Sequence, residues 1–159
     1  MTLMKISQKG IDLIKKFEGC KLKAYLCPAG VWTIGAGHTK GVKKGMVITQ
    51  QQAETFLKED IVPVERVLNG MGINYTQGQF DALTSWIFNL GQGNFKSSTM
   101  YKYIVARKSD IEITDQMVKW HNAGGKPLLG LKKRRCEEAN LFLGKDVYYV
   151  DTLGNIKKK

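Results

Sequence analysis

A glycine-rich stretch at residues 20–46 limits the choice of folds more than any other part of the chain, because the remainder has helical patterns. Five glycines lie in it, at positions 30, 35, 37, 41 and 45, and the β-favouring run Val31-Trp32-Thr33-Ile34 lies between the first two. The preceding sequence, PAG at residues 28–30, is typical of a turn before a strand. The stretch predicts a small, twisted antiparallel sheet over about residues 23–48.

Helical patterns lie on both sides of this stretch. Before it, an apolar stripe predicts a first helix over about residues 7–17 that ends at Gly19. After it, Thr49 and Gln52 form a capping-box pattern, which predicts a helix from Thr49 that Pro63 bends or divides. Further helices are predicted over about residues 76–90, 98–106, 111–120 and 128–143, followed by a short hairpin over about 147–156 and a frayed lysine tail at 157–159.

The order of these elements predicts the fold class. One helix, a small sheet and an all-helical remainder indicate an α+β fold, with a small N-terminal antiparallel sheet lobe, a larger helical lobe and a cleft between them. We expect one domain over residues 1–159. The sheet-containing lobe would take about 18–60, the helical lobe about 1–17 and 61–144, and a C-terminal extension 145–159.

Composition excludes several classes of protein. Hydrophobic residues make up 43% of the 159 residues, which excludes a disordered chain. No apolar run approaches the roughly 18 residues of a membrane span, and no signal-peptide pattern is present, so we expect cytoplasmic synthesis and no stable membrane insertion. The chain has three cysteines, two histidines and no paired-ligand motif, so we expect neither a metal nor a cofactor.

The charge balance favours an anionic partner. Lysine and arginine number 25 against 14 aspartate and glutamate residues, which gives a formal net charge of +11. Nucleic acid, a lipid surface and an acidic polymer all fit this charge. No zinc-finger, helix-turn-helix or RNP pattern accompanies it, so we rank a general attraction to a polyanion above specific nucleic-acid binding.

Glu18 is the first candidate for chemistry, because it lies where the first predicted helix ends. The partial negative charge of a helix C-terminus disfavours an ionised carboxylate there. A carboxyl group that holds its proton is what a general acid requires. From position alone, however, an ordinary surface glutamate is the commoner interpretation.

Three parts of the chain carry a longer pattern. The first contains FEG at residues 17–19, LKAY at 22–25 and GVWTIGAGHT at 30–39; the second is FNLG at 88–91; the third is WHNAGG at 120–125 with GLKKRR at 130–135 and Glu138. In this order the pattern resembles the bacteriophage lysozymes, glycoside hydrolase family 24, from about residue 6 to 144. The resemblance implies a lysozyme-like fold.

By this resemblance, Glu18, residue 27 and Thr33 form the catalytic set. Glu18 would protonate the glycosidic oxygen, Thr33 would help to hold the attacking water, and residue 27 would activate that water or stabilise positive charge on the sugar. The family most often has aspartate where this chain has Cys27. A thiolate accepts a proton or attacks carbon directly, so inverting, retaining and transglycosylase outcomes all stay open.

The resemblance also implies substrate-binding residues, namely Asn89, His38 and Arg134. Asn89 lies where the family offers a polar side chain to the sugar, and a buried amide that caps a helix is the competing interpretation. Arg134 lies where the family places a basic residue near the catalytic glutamate. His38 is expected to orient its neighbours beside the sheet and cleft rather than to act as a base.

The activity implied by the resemblance is that of an endolysin. Such an enzyme cleaves the β-1,4 bond between N-acetylmuramic acid and N-acetylglucosamine in bacterial peptidoglycan. We expect a monomer in the host cytoplasm that acts on the wall after release. Two alternatives stay open: a wall-glycan-binding protein with a decayed active site, because of Cys27, and a basic nucleic-acid-binding protein, which only the charge supports.

Overall fold

The computed structural model describes residues 3–159 and confirms the predicted α+β class. Within that range the helices are α1 (Gln8–Glu18), α2 (Gln50–Asn69), α3 (Gln77–Leu90), α4 (Gln92–Ser97), α5 (Thr99–Val105), α6 (Asp110–Met117) and α7 (Leu129–Leu143). The strands are β1 (Lys21–Leu26), β2 (Trp32–Gly35), β3 (Asn122–Ala123), β4 (Lys126–Pro127), β5 (Tyr148–Val150) and β6 (Ile156–Lys158). They form three antiparallel pairs, each made of consecutive strands.

The hairpin β1–β2 lies where the glycine-rich stretch predicted a sheet. Leu26 pairs with Trp32, and the turn between them is closed by Cys27, whose backbone N donates to Val31 O at 3.0 Å. Gly30 completes this turn with a φ of +78°, in the left-handed region that glycine adopts without a steric cost. The predicted turn at residues 28–30 is therefore confirmed.

A second tight turn follows β2 and carries the chain back onto α2. Ile34 and His38 exchange both of their backbone hydrogen bonds at 2.9 Å. Gly35, with a φ of +64°, lies against Ala53 of α2, where an added Cβ would lie 3.6 Å from the Ala53 Cβ. Together with Ala24 and Ile48, Ile34 and Ala53 form a small apolar core beneath the hairpin.

The larger core lies among the helices and surrounds α3. Residues 80–87 of α3 are all buried. Trp86 contacts Phe95 and Trp120 edge-to-face, with ring centroids 6.2 and 5.3 Å away. Trp86 thus lies in the helical core, and Trp120 packs against it.

The predicted helix starts agree well with the structure. The Thr49 hydroxyl accepts from the Gln52 backbone N at 3.1 Å, while the Gln52 side chain accepts from the Thr49 N at 2.8 Å. Pro63 lies inside α2, which runs through it as one helix, so the helix is not divided. Among residues 3–159, each helix is too short or too polar to span a bilayer.

Two short elements were not predicted, and one prediction was wrong. The helix α4 begins directly after Gly91, and the hairpin β3–β4 turns at residues 124–125 between α6 and α7. The lysine tail was expected to fray, yet Lys157 and Lys158 lie in β6. Ion pairs with distant carboxylates hold it: Lys158 Nζ lies 2.9 Å from Asp115 and Lys159 Nζ 2.8 Å from Asp146.

Candidate active site

Glu18 is the last residue of α1, and its side chain lines a cavity of about 270 Å³. We call this space the Glu18 cavity. Its other walls are Ala36, Gly37 and Thr39 after β2, Lys40, Asp60 of α2 and Phe88 of α3. The Glu18 side chain is 22% exposed. The structure therefore places this carboxyl in a cleft beside the small hairpin, partly shielded from water.

Arg134 of α7 holds the Glu18 carboxylate. Its Nη1 donates to Glu18 Oε1 at 2.5 Å, and its own side chain is only 2% exposed. Its other two nitrogens also donate: Nε to Glu138 Oε2 at 3.2 Å, and Nη2 to the Ser85 carbonyl at 3.2 Å. Arg134 thus lies beside the glutamate, as the family pattern indicated, and its orientation is fixed from three sides.

A buried ionic cluster supports this arginine. Glu138 is fully buried and accepts from Ser85 Oγ at 2.5 Å and from Arg135 Nη2 at 3.1 Å. Arg135 also donates to Asn89 Oδ1 at 2.8 Å. Burial lowers the pKa of the Arg135 guanidinium, and the Glu138 carboxylate opposes this shift.

Sequence reasoning assigned no role to Ser85, Arg135 or Glu138. A signal for part of the cluster was present, because Glu138 follows the two arginines by four and three positions, which places all three on one helix face. No local signal indicated Ser85, which comes from another helix. Asn89 has its Oδ1 occupied by Arg135, so its contact with a sugar stays a prediction.

Cys27 and Thr33 meet at the turn of the β1–β2 hairpin. The Val31 backbone amide, then that of Ala29, and the Thr33 hydroxyl lower the pKa of the Cys27 thiol, while burial acts in the opposite sense. Thr33 is buried, and its Oγ1 donates to Val31 O at 2.9 Å. Among the described residues, the lining of the Glu18 cavity includes neither of them.

His38 is buried and has a structural environment, as predicted. Its Nδ1 lies 2.9 Å from Asp60 Oδ2, and its ring stacks on Phe56 with centroids 4.2 Å apart. Asp60 also lines the Glu18 cavity, so His38 fixes one wall of that cavity from behind. Within residues 3–159, no three His, Cys, Asp or Glu side chains are grouped to hold a metal ion.

Comparison with known protein sequences identifies one family and several endolysins as relatives of this chain. The family model described as "Phage lysozyme" matches residues 15–138. An endolysin of Acyrthosiphon pisum secondary endosymbiont phage 1 is 48% identical over 87% of this chain and 98% of its own length. An endolysin of Bacillus phage B103 is 42% identical over 88% of this chain, which spans only 54% of that relative.

Solved structures lead to the same family. The muramidase domain of SpmX from Asticaccaulis excentricus is 35% identical, with a TM-score of 0.82 over 87% of this chain and 97% of that domain. The family match, over residues 15–138, spans Glu18, the β1–β2 hairpin and Arg134. The chain therefore belongs to the phage lysozyme family, and it is a hydrolase of the endolysin type that degrades the bacterial cell wall.

Proposed function

We propose that this enzyme is a muramidase that cleaves the β-1,4 bond between N-acetylmuramic acid and N-acetylglucosamine, with Glu18 as the general acid. The observation that carries the proposal is the Glu18 carboxyl, which is fixed by a buried arginine and lines a cavity in a cleft. The description of one structural neighbour as a muramidase domain supports the choice of bond.

The carboxyl has one oxygen for positioning and one for chemistry. Arg134 donates to Oε1, and among the described residues no hydrogen bond involves Oε2. Oε2 is thus free to carry the proton that passes to the glycosidic oxygen of the leaving sugar. Proton transfer needs Oε2 within hydrogen-bond distance of the glycosidic oxygen. A sugar chain that lies along the cleft would bring the glycosidic oxygen to that distance.

The local charges balance around this acid. Arg134 and Arg135 are countered by Glu18 and Glu138, so two cations face two carboxylates. Because Glu138 contacts both arginines, Arg134 is shared between two carboxylates instead of serving Glu18 alone. This sharing ties the position of Arg134 to the buried cluster as well as to Glu18.

Cys27 and Thr33 would handle the nucleophilic water. The Val31 amide favours the thiolate of Cys27, and a thiolate is able to accept a proton from water at neutral pH. The Thr33 hydroxyl lies beside the same sulfur and would position that water. We further propose that Cys27 acts as a base on this water and not as a nucleophile, which would invert the configuration at the anomeric carbon.

The test compares two isosteric changes. Glu18→Gln removes the acidic proton at constant shape and should lower wall clearing about 10²–10⁴-fold. Glu59→Gln, at an exposed position of α2, makes the same chemical change and should leave clearing intact. Clearing is followed by turbidity, bond choice by mass spectrometry of the released muropeptides, and anomeric configuration by NMR. Substantial turnover by Glu18→Gln would remove Glu18 from its role.

The remaining parts of the proposal concern the oligomeric state of the enzyme, its cellular location and its partners. We propose a monomer that is made in the host cytoplasm, reaches the wall after release and binds no nucleic acid. Fractionation of expressing cells and size-exclusion chromatography test the first two points. Retention on duplex DNA at physiological salt would contradict the third.

A further inference from the structure

A second cavity, of about 560 Å³, lies between α6 and the C-terminal hairpin β5–β6. We call it the hairpin cavity. Its charged lining residues are Asp115 and Lys119 on one side and Lys157 and Lys158 on the other, with His121 at the end of the turn after α6. No residue of its lining belongs to the lining of the Glu18 cavity, so the two sites are separate.

The cations of the hairpin cavity are only partly neutralised. Lys158 Nζ lies 2.9 Å from Asp115 Oδ1, which balances these two charges. Lys119 and Lys157 are exposed, and within residues 3–159 neither side chain takes part in an ion pair or hydrogen bond. His121 uses Nδ1 to contact the Val118 carbonyl at 2.7 Å, which leaves Nε2 available.

The walls of this cavity are held in place. Tyr148 of β5 is 2% exposed, and its hydroxyl donates to Asp115 Oδ1 at 2.6 Å. On the other side of the hairpin, Lys132 Nζ donates to the Gly154 carbonyl at 2.6 Å, which ties the β5–β6 turn to α7. The elements that carry the two free lysines are therefore fixed relative to each other.

We propose that the hairpin cavity binds the phosphate groups of an anionic polymer attached to the bacterial wall. Two lysine ammonium groups from different elements suit phosphate, for which lysine is a common point-charge partner. The proposal rests on one part of the proposed function, namely that the enzyme reaches the bacterial cell wall.

The charge of the cavity argues against the glycan strand as its occupant. Lys119 lies within the family match over residues 15–138, and Lys157 lies beyond it, so the pair of lysines is not contained in the matched segment. Two cations suit an anionic group such as phosphate, which the neutral sugars of a glycan strand do not offer. A single-stranded nucleic acid would need exposed aromatic platforms, and the one Phe, Tyr or Trp side chain of the lining, Tyr148, is buried.

Binding at the hairpin cavity would hold the enzyme on the wall between cleavage events. A second contact with the same wall raises the effective concentration of the cleft for its substrate. Because the two lysines are exposed, this contact should weaken steeply as salt rises.

The test measures binding without cleavage. Two double variants are made in a Glu18→Gln background. The cavity variant combines Lys119→Glu and Lys157→Glu. The control variant combines Lys43→Glu and Lys44→Glu, which make the same charge change at exposed positions after β2. Both are co-sedimented with purified walls that carry phosphodiester-linked polymers and with walls stripped of them by hydrofluoric acid. We expect about tenfold weaker binding for the cavity variant on intact walls, an unchanged control, and no difference between them on stripped walls.

Two results would overturn the proposal. Equal losses in the two variants would show general attraction of charge, and a loss that persists on stripped walls would assign the contact to peptide carboxylates. Thermal melting checks that the variants fold. If the charge reversal lowers the melting temperature, the double variant Lys119→Ala and Lys157→Ala is used in its place. We expect this variant to bind intact walls about threefold more weakly. Clearing by the enzyme with Glu18 intact is measured separately, so a failure of the muramidase proposal is distinguishable from a failure of this one.

Discussion

Arg134 Nη1 lies 2.5 Å from Glu18 Oε1, although 116 positions separate the two residues in the sequence. The contact joins the last residue of α1 to α7. Since Arg134 is also bound to Ser85 of α3 and to Glu138, the candidate acid is fixed by three helices at once. The position of the carboxyl is thus a property of helix packing and not of the local turn at Gly19.

Removing Arg134 should cost stability as well as activity. Arg134→Ala leaves the buried Glu138 with one fewer cation, and breaking a buried pair in this way costs about 3–5 kcal/mol. We expect a loss of that size in the free energy of unfolding, measured by urea denaturation. Lys133→Ala, at the exposed neighbouring position, should change it by less than about 0.5 kcal/mol. Similar losses in both variants would contradict the assignment.

Cys27 should react with alkylating reagents at lower pH than an ordinary thiol. The Val31 amide lowers its pKa, so more thiolate is present at any pH below the ordinary value, and the thiolate is the reacting form. Burial raises the pKa of Cys136 to about 11, so that thiol should stay unlabelled in the folded protein. Iodoacetamide treatment across about pH 6–9, the range in which thiols titrate, followed by peptide mapping measures the alkylation of each of the two cysteines. Labelling of Cys27 only near the ordinary thiol pKa would refute the prediction.

Substitutions at position 27 separate a base from a sulfur-specific role. If Cys27 activates water, Cys27→Asp should keep or raise clearing, because a carboxylate accepts the same proton. Cys27→Ala should lower clearing by about 10²–10⁴-fold. The turbidity assay described for Glu18→Gln serves here, with melting as the control for folding. An inactive but folded Cys27→Asp variant would show that sulfur chemistry is required.

The C-terminal hairpin should contribute to stability through Tyr148. Its hydroxyl donates to Asp115 and lies 2.8 Å from Thr114 Oγ1, so Tyr148→Phe removes a buried hydrogen bond worth about 0.5–1.5 kcal/mol. Tyr149→Phe is the matched control, because that side chain is 42% exposed. Thermal and urea unfolding of the two variants give the comparison. An unaltered Tyr148→Phe protein would mean that the hairpin is not part of the cooperative unit.

The helices and the first hairpin could be predicted because their signals are local. A capping box at Thr49 and Gln52 identifies a helix start within four residues, and the glycine at position 30 identifies a turn. The short elements α4 and β3–β4 were not predicted, because their local sequence indicates a break and not an element. Gly91 and Gly93 are typical of a break, and packing of Phe95 into the helical core stabilises the helix that begins at Gln92.

The candidate site was predictable only in part. The family pattern identified Glu18, Cys27, Thr33 and Arg134, and the spacing of the pattern implied that they belong together. The ionic cluster behind Arg134 depends on Ser85, which is brought to it by the packing of α3 against α7. The ordered lysine tail likewise depends on the distant carboxylates of Asp115 and Asp146. Contacts of this kind leave no periodicity in the sequence.

The anchoring of Glu18 by α1, α3 and α7 has a consequence for how the enzyme fails on heating. Arg134, the partner of this carboxyl, is buried against α3, so it moves away from Glu18 only when the helical core melts. Inactivation and the loss of helical circular dichroism should then trace a single curve, and the activity remaining at any temperature would report the fraction of molecules still native.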